Sequence, residues 1–412
     1  MSETMETVIV GGGQAGLAVS YLLTQQGRQN IILEKADKAA EAWRNHRWDS
    51  FTFVTTNWTN QLPGAEYTGP DPEGFLPLKD IISYFEDYIE RYNLPVRYNT
   101  EALSVEKSDG SFTVKTSGAT YEAANVVIAT GLHQRPRIPS FSAKIAKGIQ
   151  QIHSSEYRNP ETLPPGAVLV VGSAQSGSQI AEELYKSGRK VYLCVGSAGR
   201  IPRRYRGKDI GRWMVKLGLF EQTADTLPSP KARFGGSAHI SGTKGGHTIN
   251  LHQFARDGVT LLGRIIDGEG STIELAPDLK ENLAKTDEFE ARLVGAIDAY
   301  IEKNGLDMPE GTLPSLRDGY EVDEKLSLDL KTAGVSSIVW ATGYKFDFNM
   351  VKLPVADEYG YPVQNQGRTA YPGLYFVGLP WLTTIKSGLL YGVGGDAALI
   401  VKDIVENHQV SG

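Results

Sequence analysis

Twice along this chain a short apolar run passes into a glycine-spaced turn and then into a helix-like pattern, and no other feature limits the fold so strongly. In the first copy, residues 7–10 read as a strand, Gly11, Gly13 and Gly16 stand at G-x-G-x-x-G spacing, 17–25 carry a helical pattern, Gly27 stops it, and 30–34 read as a second strand. The second copy repeats this order with a strand at 167–171, a turn at 172–177, a helix at 178–186, a stop at Gly188 and a strand at 190–195. Strand, tight turn, helix and strand make a βαβ unit with parallel strands. The spacing has a physical reason. The first glycine makes the turn, the second admits backbone close to a diphosphate, and the third lets helix and strand pack together. Amides at the helix start then face the anion. Two such units predict an α/β protein with two Rossmann-like dinucleotide-binding domains.

Each unit supplies its own candidate residues. In the first, Gln14 and Ala15 complete the turn, and Glu34, at the tip of the second strand, is placed to accept hydrogen bonds from ribose hydroxyls. In the second, Gly172, Ala174 and Gly177 hold the three positions, so alanine replaces the middle glycine, with Gln175 and Ser176 beside it. The tip of that unit's second strand carries no carboxylate. It offers Gly196 and Ser197 and then Arg200, Arg203, Arg204 and Arg206. Guanidinium forks bind phosphate oxygens and a carboxylate would repel them, so this loop is expected to select a 2′-phosphate, and hence NADPH.

The rest of the chain narrows the classes. Its 412 residues are enough for two domains. A net charge of −6 argues against nucleic acid as a partner. No apolar run reaches the length of a membrane span, and residues 1–7 do not resemble a targeting signal, so a soluble, cytoplasmic protein is expected. The single cysteine, Cys194, sits in an apolar strand-like run and reads as buried; one cysteine cannot form the redox pair of a disulfide reductase. The seven histidines show no metal-ligand spacing, and His153, His247 and His252 read as hydrogen-bonding residues of loops. Helices are expected at 81–92 and 281–304, and strands at 112–116, 125–129 and 337–341. Residues 207–270 read as long loops with short helices. Prolines from Pro136 to Pro165 mark a crossover, giving expected parts 1–164 (first domain, first part), 165–335 (second domain, inserted in the first) and 336–412 (first domain, last part).

Together the two units, Ala129-Thr130-Gly131 followed by Pro136 and Pro139, and Ala341-Thr342-Gly343-Tyr344 followed by Asp347 and Phe348 resemble the class B flavoprotein monooxygenases, which include flavin-containing, YUCCA-like and Baeyer–Villiger enzymes. The resemblance covers nearly the whole chain. Gly148, His153 and Tyr157 look like that family's G-x-x-x-H-x-x-x-Y signature, with one extra residue after Gly148 and no leading phenylalanine. What the resemblance implies is FAD on the first unit and NADPH on the second. It places Trp43 and Arg44 near the FAD, Thr55, Thr56 and Asn57 against the flavin ring, and Gly378, Leu379 and Asp396 in the last flavin-contacting segment. Lys35, Ala102, Thr130, Gly131, Thr342 and Gly343 join the implied cofactor set. Asn57 is the one implied catalytic residue, positioning the nicotinamide and the oxygen adduct.

The implied reaction is hydride transfer from NADPH to flavin, formation of a flavin C4a-hydroperoxide with O2, and transfer of one oxygen atom to a small-molecule nucleophile at nitrogen, sulfur or an indole-like carbon. Trp213, Phe220, Phe234 and His239 are candidates to line the substrate pocket. Baeyer–Villiger oxygenation, an NAD(P)H-dependent flavin oxidase or dehydrogenase, and a noncatalytic NADP(H)-sensing flavoprotein are the alternatives. The oligomeric state is left open, with a homodimer as the option considered.

Overall fold

The computed structural model describes residues 2–108 and 110–410. Its first sheet runs, edge to edge, Val96–Arg97, Asn30–Leu33, Ser2–Val10, Thr120–Ile128, Ser111–Thr116 and Ala102–Ser108. Strand Thr120–Ile128 changes partner along its length: Thr120 to Ala123 pair antiparallel with the neighbouring hairpin strand, whereas Val126 to Ile128 pair parallel with Leu374–Phe376. The end of the chain thereby returns to the first βαβ unit. Val8, Ile9, Val126, Val127, Leu374 and Phe376 are fully buried, the pattern of strands covered on both faces. Helix Gln14–Gln25 covers one face and packs against the last helix, Val393–Val410.

The second sheet is wholly parallel, in the order Gln150–His153, Val335–Trp340, Ala167–Val171, Val191–Cys194 and Thr260–Leu262. The expected boundary at 164/165 falls after Gln150–His153 and that at 335/336 falls inside Val335–Trp340, and both strands lie in the second sheet. Residues 207–270 also hold more order than expected. Besides the short helices Ile210–Lys216 and Leu251–Arg256, they contribute Thr260–Leu262 to the second sheet and Ile265–Glu269 to a three-stranded antiparallel sheet with Thr272–Leu275 and Ser327–Asp329.

The expected helices form over Leu78–Tyr92 and Leu279–Lys303. Those of the two units begin earlier than expected, at Gln14 and Gln175, because the polar residues after the glycines already adopt helical backbone. Cys194 is buried in its strand, and burial pushes its thiol up to about 12. Among the described residues no helix is long and apolar enough to cross a membrane, and no cluster of His, Cys, Asp and Glu could hold a metal ion.

Candidate functional site: two glycine turns

The two turns are built alike. Gly11 has φ +110° and Gly172 φ +105°, a region that L side chains rarely adopt. A Cβ at Gly11 would lie 2.6 Å from the carbonyl oxygen of Ala129, and a Cβ at Gly172 would lie 2.6 Å from that of Ala341. The Ala-Thr-Gly segments singled out in the sequence are therefore the walls against which the turns are pressed. Gly16 and Gly177 in turn sit so close to the carbonyls of Gly11 and Gly172 that neither could carry a side chain. Gly13 and Ala174 stand at the helix starts, and at neither does a side chain cap the exposed amides. Uncapped amides at a helix start attract an anion. Both turns thus meet the geometric requirement for a diphosphate cradle.

Around the first turn, Glu34 does more than stand at a strand tip. One carboxylate oxygen accepts from the Gly12 amide at 2.8 Å and the other from the Ala36 amide at 2.9 Å. This fixes the carboxylate against the turn, while each oxygen keeps a second lone pair for a ribose hydroxyl. Gly378, at φ +78°, lies against Ala15, and Gln14 donates to the Gly388 carbonyl at 2.8 Å, so the C-terminal segment is fastened to the same helix start. Gln134 holds the Thr130 hydroxyl at 3.0 Å and the Gly131 carbonyl at 2.7 Å. The Thr342 hydroxyl donates to the Arg137 carbonyl, and Gly343 accepts from His153 at 3.0 Å, so this second Ala-Thr-Gly segment is pinned to the crossover. Lys35 is exposed, and Ala102 opens the edge strand two residues after Thr100, whose amide bonds the Glu34 carbonyl.

Near the first turn, buried polar groups from distant segments outline a candidate cleft. Asn57 is 5% exposed; its backbone amide donates to Gly74 and its side-chain amide to the Asp71 carbonyl at 2.9 Å, leaving Oδ1 buried without a partner. Thr56 Oγ1, Trp58 Nε1 and both side-chain polar atoms of Asn60 are likewise buried and unpartnered. Thr55 beside them is half-buried. The Trp58 ring meets Tyr391 edge-on at 5.3 Å, and Gly394 lies against Pro63, so the last segment closes over this one. There Asp396, 4% exposed, accepts from the Thr383 hydroxyl; burial raises its carboxyl pKa, and its other oxygen has no partner. An unmet buried donor or acceptor costs about 1–3 kcal/mol, so several of them around one cleft fit a polar, hydrogen-bonding ring system such as isoalloxazine.

Trp43 and Arg44 are engaged mainly with protein. The Trp43 ring packs edge-on to Phe53 at 5.0 Å, and Arg44 pairs with Glu86 at 2.6 Å.

The arginine loop departs from expectation. Arg200, 5% exposed, pairs with Glu290 at 2.6 Å and Asp287 at 2.8 Å, both on helix Leu279–Lys303. Arg203 makes a buried two-pronged contact with Asp209, and Arg206 pairs with Asp298. Their charges are paired within the protein. Arg204 differs: its guanidinium donates only to the carbonyls of Gly245 and Gly246 and stays exposed, like Ser197. A covering loop was also missed. Gln175 and Gln179 both donate to the Ile240 carbonyl, and Gly236 packs on the Ala174 methyl, so residues 235–240 lie over the second turn. Ser176 remains half-buried at the helix start.

Two of the expected pocket residues turn out to be core. Trp213 is fully buried and donates to the Tyr205 carbonyl at 2.8 Å. His239 is fully buried, and burial together with the Arg200 charge pushes its imidazole down to about 3. Phe220 instead meets Tyr391 at 5.3 Å, and Phe234 is 40% exposed. The other histidines hold structural bonds, His247 with Glu182 and His252 with Asp287.

The fold is one shared with flavin-containing monooxygenases, and the family is one of oxidoreductases. Residues 8–208 match the family model described as pyridine nucleotide-disulphide oxidoreductase. An "uncharacterized oxidoreductase CzcO-like" of Geobacillus kaustophilus is 32% identical over 99% of this chain and 100% of its own, and the chain belongs to this family of CzcO-like oxidoreductases. A probable indole-3-pyruvate monooxygenase of Arabidopsis thaliana, YUCCA10, is 30% identical over 56% of this chain and 62% of its own. Among solved structures, a flavin-containing monooxygenase from Stenotrophomonas maltophilia shares the fold with a TM-score of 0.66 at 20% identity, covering 98% of this chain and 99% of that one.

Proposed function

We propose that this protein is an FAD-dependent monooxygenase that consumes NADPH and O2 and places one oxygen atom on a small-molecule nucleophile at nitrogen, sulfur or an indole-like carbon. The pair of turns carries the reading: two separate uncapped helix starts, each backed by an Ala-Thr-Gly wall, suit two dinucleotides in one molecule. When bound, FAD supplies the acceptor for hydride and, once reduced, the group that activates oxygen. The balance is nucleophile, O2, NADPH and a proton in, and oxygenated product, NADP+ and water out.

The chain's residues orient and shelter. Gly11, Gly13, Gln14, Ala15 and Gly16 hold the FAD diphosphate, and Glu34 takes the ribose hydroxyls. Asn57, clamped through its backbone and Nδ2, presents Oδ1 as a fixed acceptor to an N–H or O–H in the cleft. Burial holds the Asp396 carboxyl above its ordinary value, and its second oxygen is left without a partner. On the second unit, Gly172, Ala174 and Gly177 receive the NADPH diphosphate, with Ser197 and Arg204 in place of Arg200 and Arg203 at the 2′-phosphate.

Stopped-flow spectroscopy tests the reading. The FAD-loaded protein is reduced with NADPH and mixed with oxygenated buffer. A long-lived C4a-hydroperoxide spectrum is expected. Immediate reoxidation with peroxide release makes the protein an oxidase, and failure of NADPH to bleach the flavin removes the proposed electron route.

A further inference from the structure

A cavity of about 590 Å³ opens beside the cleft, between residues 223–233, 357–366 and 381–384. Its volume is in the range of small-molecule sites. Three observations give it a chemistry. Arg233 is the only cation among its lining residues; its side chain is 17% exposed, its guanidinium stacks 4.3 Å above the Tyr361 ring, and its nearest carboxylate, on Asp357, stands 3.9 Å away. The Arg233 Nε is buried without a hydrogen-bond partner, whereas Asp357 already accepts from the Tyr359 and Tyr361 amides at 2.9 Å each. The guanidinium is therefore held in place with donors to spare.

Asp225, in the same lining, is exposed and engaged through one oxygen only, by the Thr223 hydroxyl. The lining thus carries two carboxylates and one guanidinium, which disfavours a simple anion and a simple cation alike. Trp381 is the third observation. It holds φ +63°, an outlying conformation for a bulky residue, fixed by its amide on the Thr384 carbonyl at 3.1 Å. Strained residues of this kind cluster at ligand clamps. Gln364 donates to the Leu382 carbonyl at 3.0 Å and Tyr361 to the Pro380 carbonyl at 2.8 Å, so the strained wall is braced from behind. Thr383, on the same wall, is the residue that bonds Asp396, which joins the cavity to the cleft.

We propose that this cavity binds a zwitterionic amine–carboxylate, an α-amino-acid-like molecule, with its carboxylate on Arg233, its ammonium on Asp225 and its side chain along Trp381 towards the cleft. The assignment of this molecule as the oxygen acceptor, through a soft atom of its side chain, rests on the monooxygenase reading; the binding itself does not. A thioether side chain would leave as the sulfoxide, with the atom balance given above.

Calorimetry on the FAD-loaded protein separates the two. The probes are L-methionine, its decarboxylated amine (methylthiopropylamine) and its deaminated acid (methylthiobutanoate). L-Methionine is expected to bind about tenfold or more tighter than either analogue. Arg233→Ala should remove that advantage over the amine, and Asp225→Asn the advantage over the acid, while Arg233→Lys should keep part of it. Thermal melting and FAD content confirm that each variant is folded. Equal affinity for all three probes, no binding of any, or unchanged preference in both Arg233→Ala and Asp225→Asn overturns the proposal. Selective methionine binding without sulfoxide would sustain the cavity and count against the monooxygenase; oxygenated flavin without methionine binding would do the reverse.

Discussion

At the scale of single residues, the cleft depends on groups whose partners are only half satisfied. Asn57 illustrates this: two bonds fix it and one acceptor is left over. Asn57→Ala is expected to leave FAD content unchanged and to lower the yield of oxygenated product per NADPH by about tenfold or more, the size of one lost, well-placed hydrogen bond. Peroxide release measured beside product formation checks it; unchanged coupling would remove Asn57 from the chemistry. Glu34 is different in kind, because its loss frees the turn as well as the ribose. Glu34→Ala should yield protein purified largely without flavin, read from the absorbance ratio.

Among elements, the decisive contact is the strut between the arginine loop and helix Leu279–Lys303. Removing Arg200 leaves Glu290 buried and unpaired, which costs about 3–5 kcal/mol for a charge pair of this kind. Arg200→Ala should therefore lower the melting temperature without altering the ratio of kcat/KM for NADPH over NADH. Arg204→Ala should do the opposite. A shift of coenzyme preference in the first variant and none in the second would restore the original assignment of that loop. The two turns are likewise separable: Gly172→Ala should keep flavin and lose reduction by NADPH, since the added methyl meets the Ala341 carbonyl.

For the whole molecule, His239 and Asp287, both beside Arg200, contribute to the response to acid together with the buried His153. His239 has a folded pKa pushed from 6.5 to about 3, chiefly by burial. Its neutral form is the folded one, so its contribution to stability is complete above 6.5 and is lost as pH falls from there towards 3. Burial works to raise the Asp287 carboxyl, but hydrogen bonds from His252 and Tyr320 and the charge of Arg200 overcome it and bring it to about 2. That contribution is present above the ordinary value of 3.8 and disappears between there and 2. Denaturant midpoints should thus fall in two stages on acidification, and His239→Leu should flatten the upper one. A slope unchanged by that substitution would place the acid sensitivity elsewhere.

What the amino-acid order determined by itself was local: the positive-φ glycines, their spacing, the apolar strands before them and the single, unreactive cysteine. These follow from backbone sterics and from periodicity within a few residues, and so Gly11, Gly172 and the two Ala-Thr-Gly walls were legible. The partners of Arg200 and Arg203, the loop over Ala174, the burial of Trp213 and His239, and the sheet that claims Gln150–His153 were decided only when distant segments met. A guanidinium followed by three more reads as phosphate-binding until helix Leu279–Lys303, some 90 residues away in the Arg200–Glu290 pair, brings carboxylates to it. Charge is visible in a sequence; its neutralisation is a property of the fold.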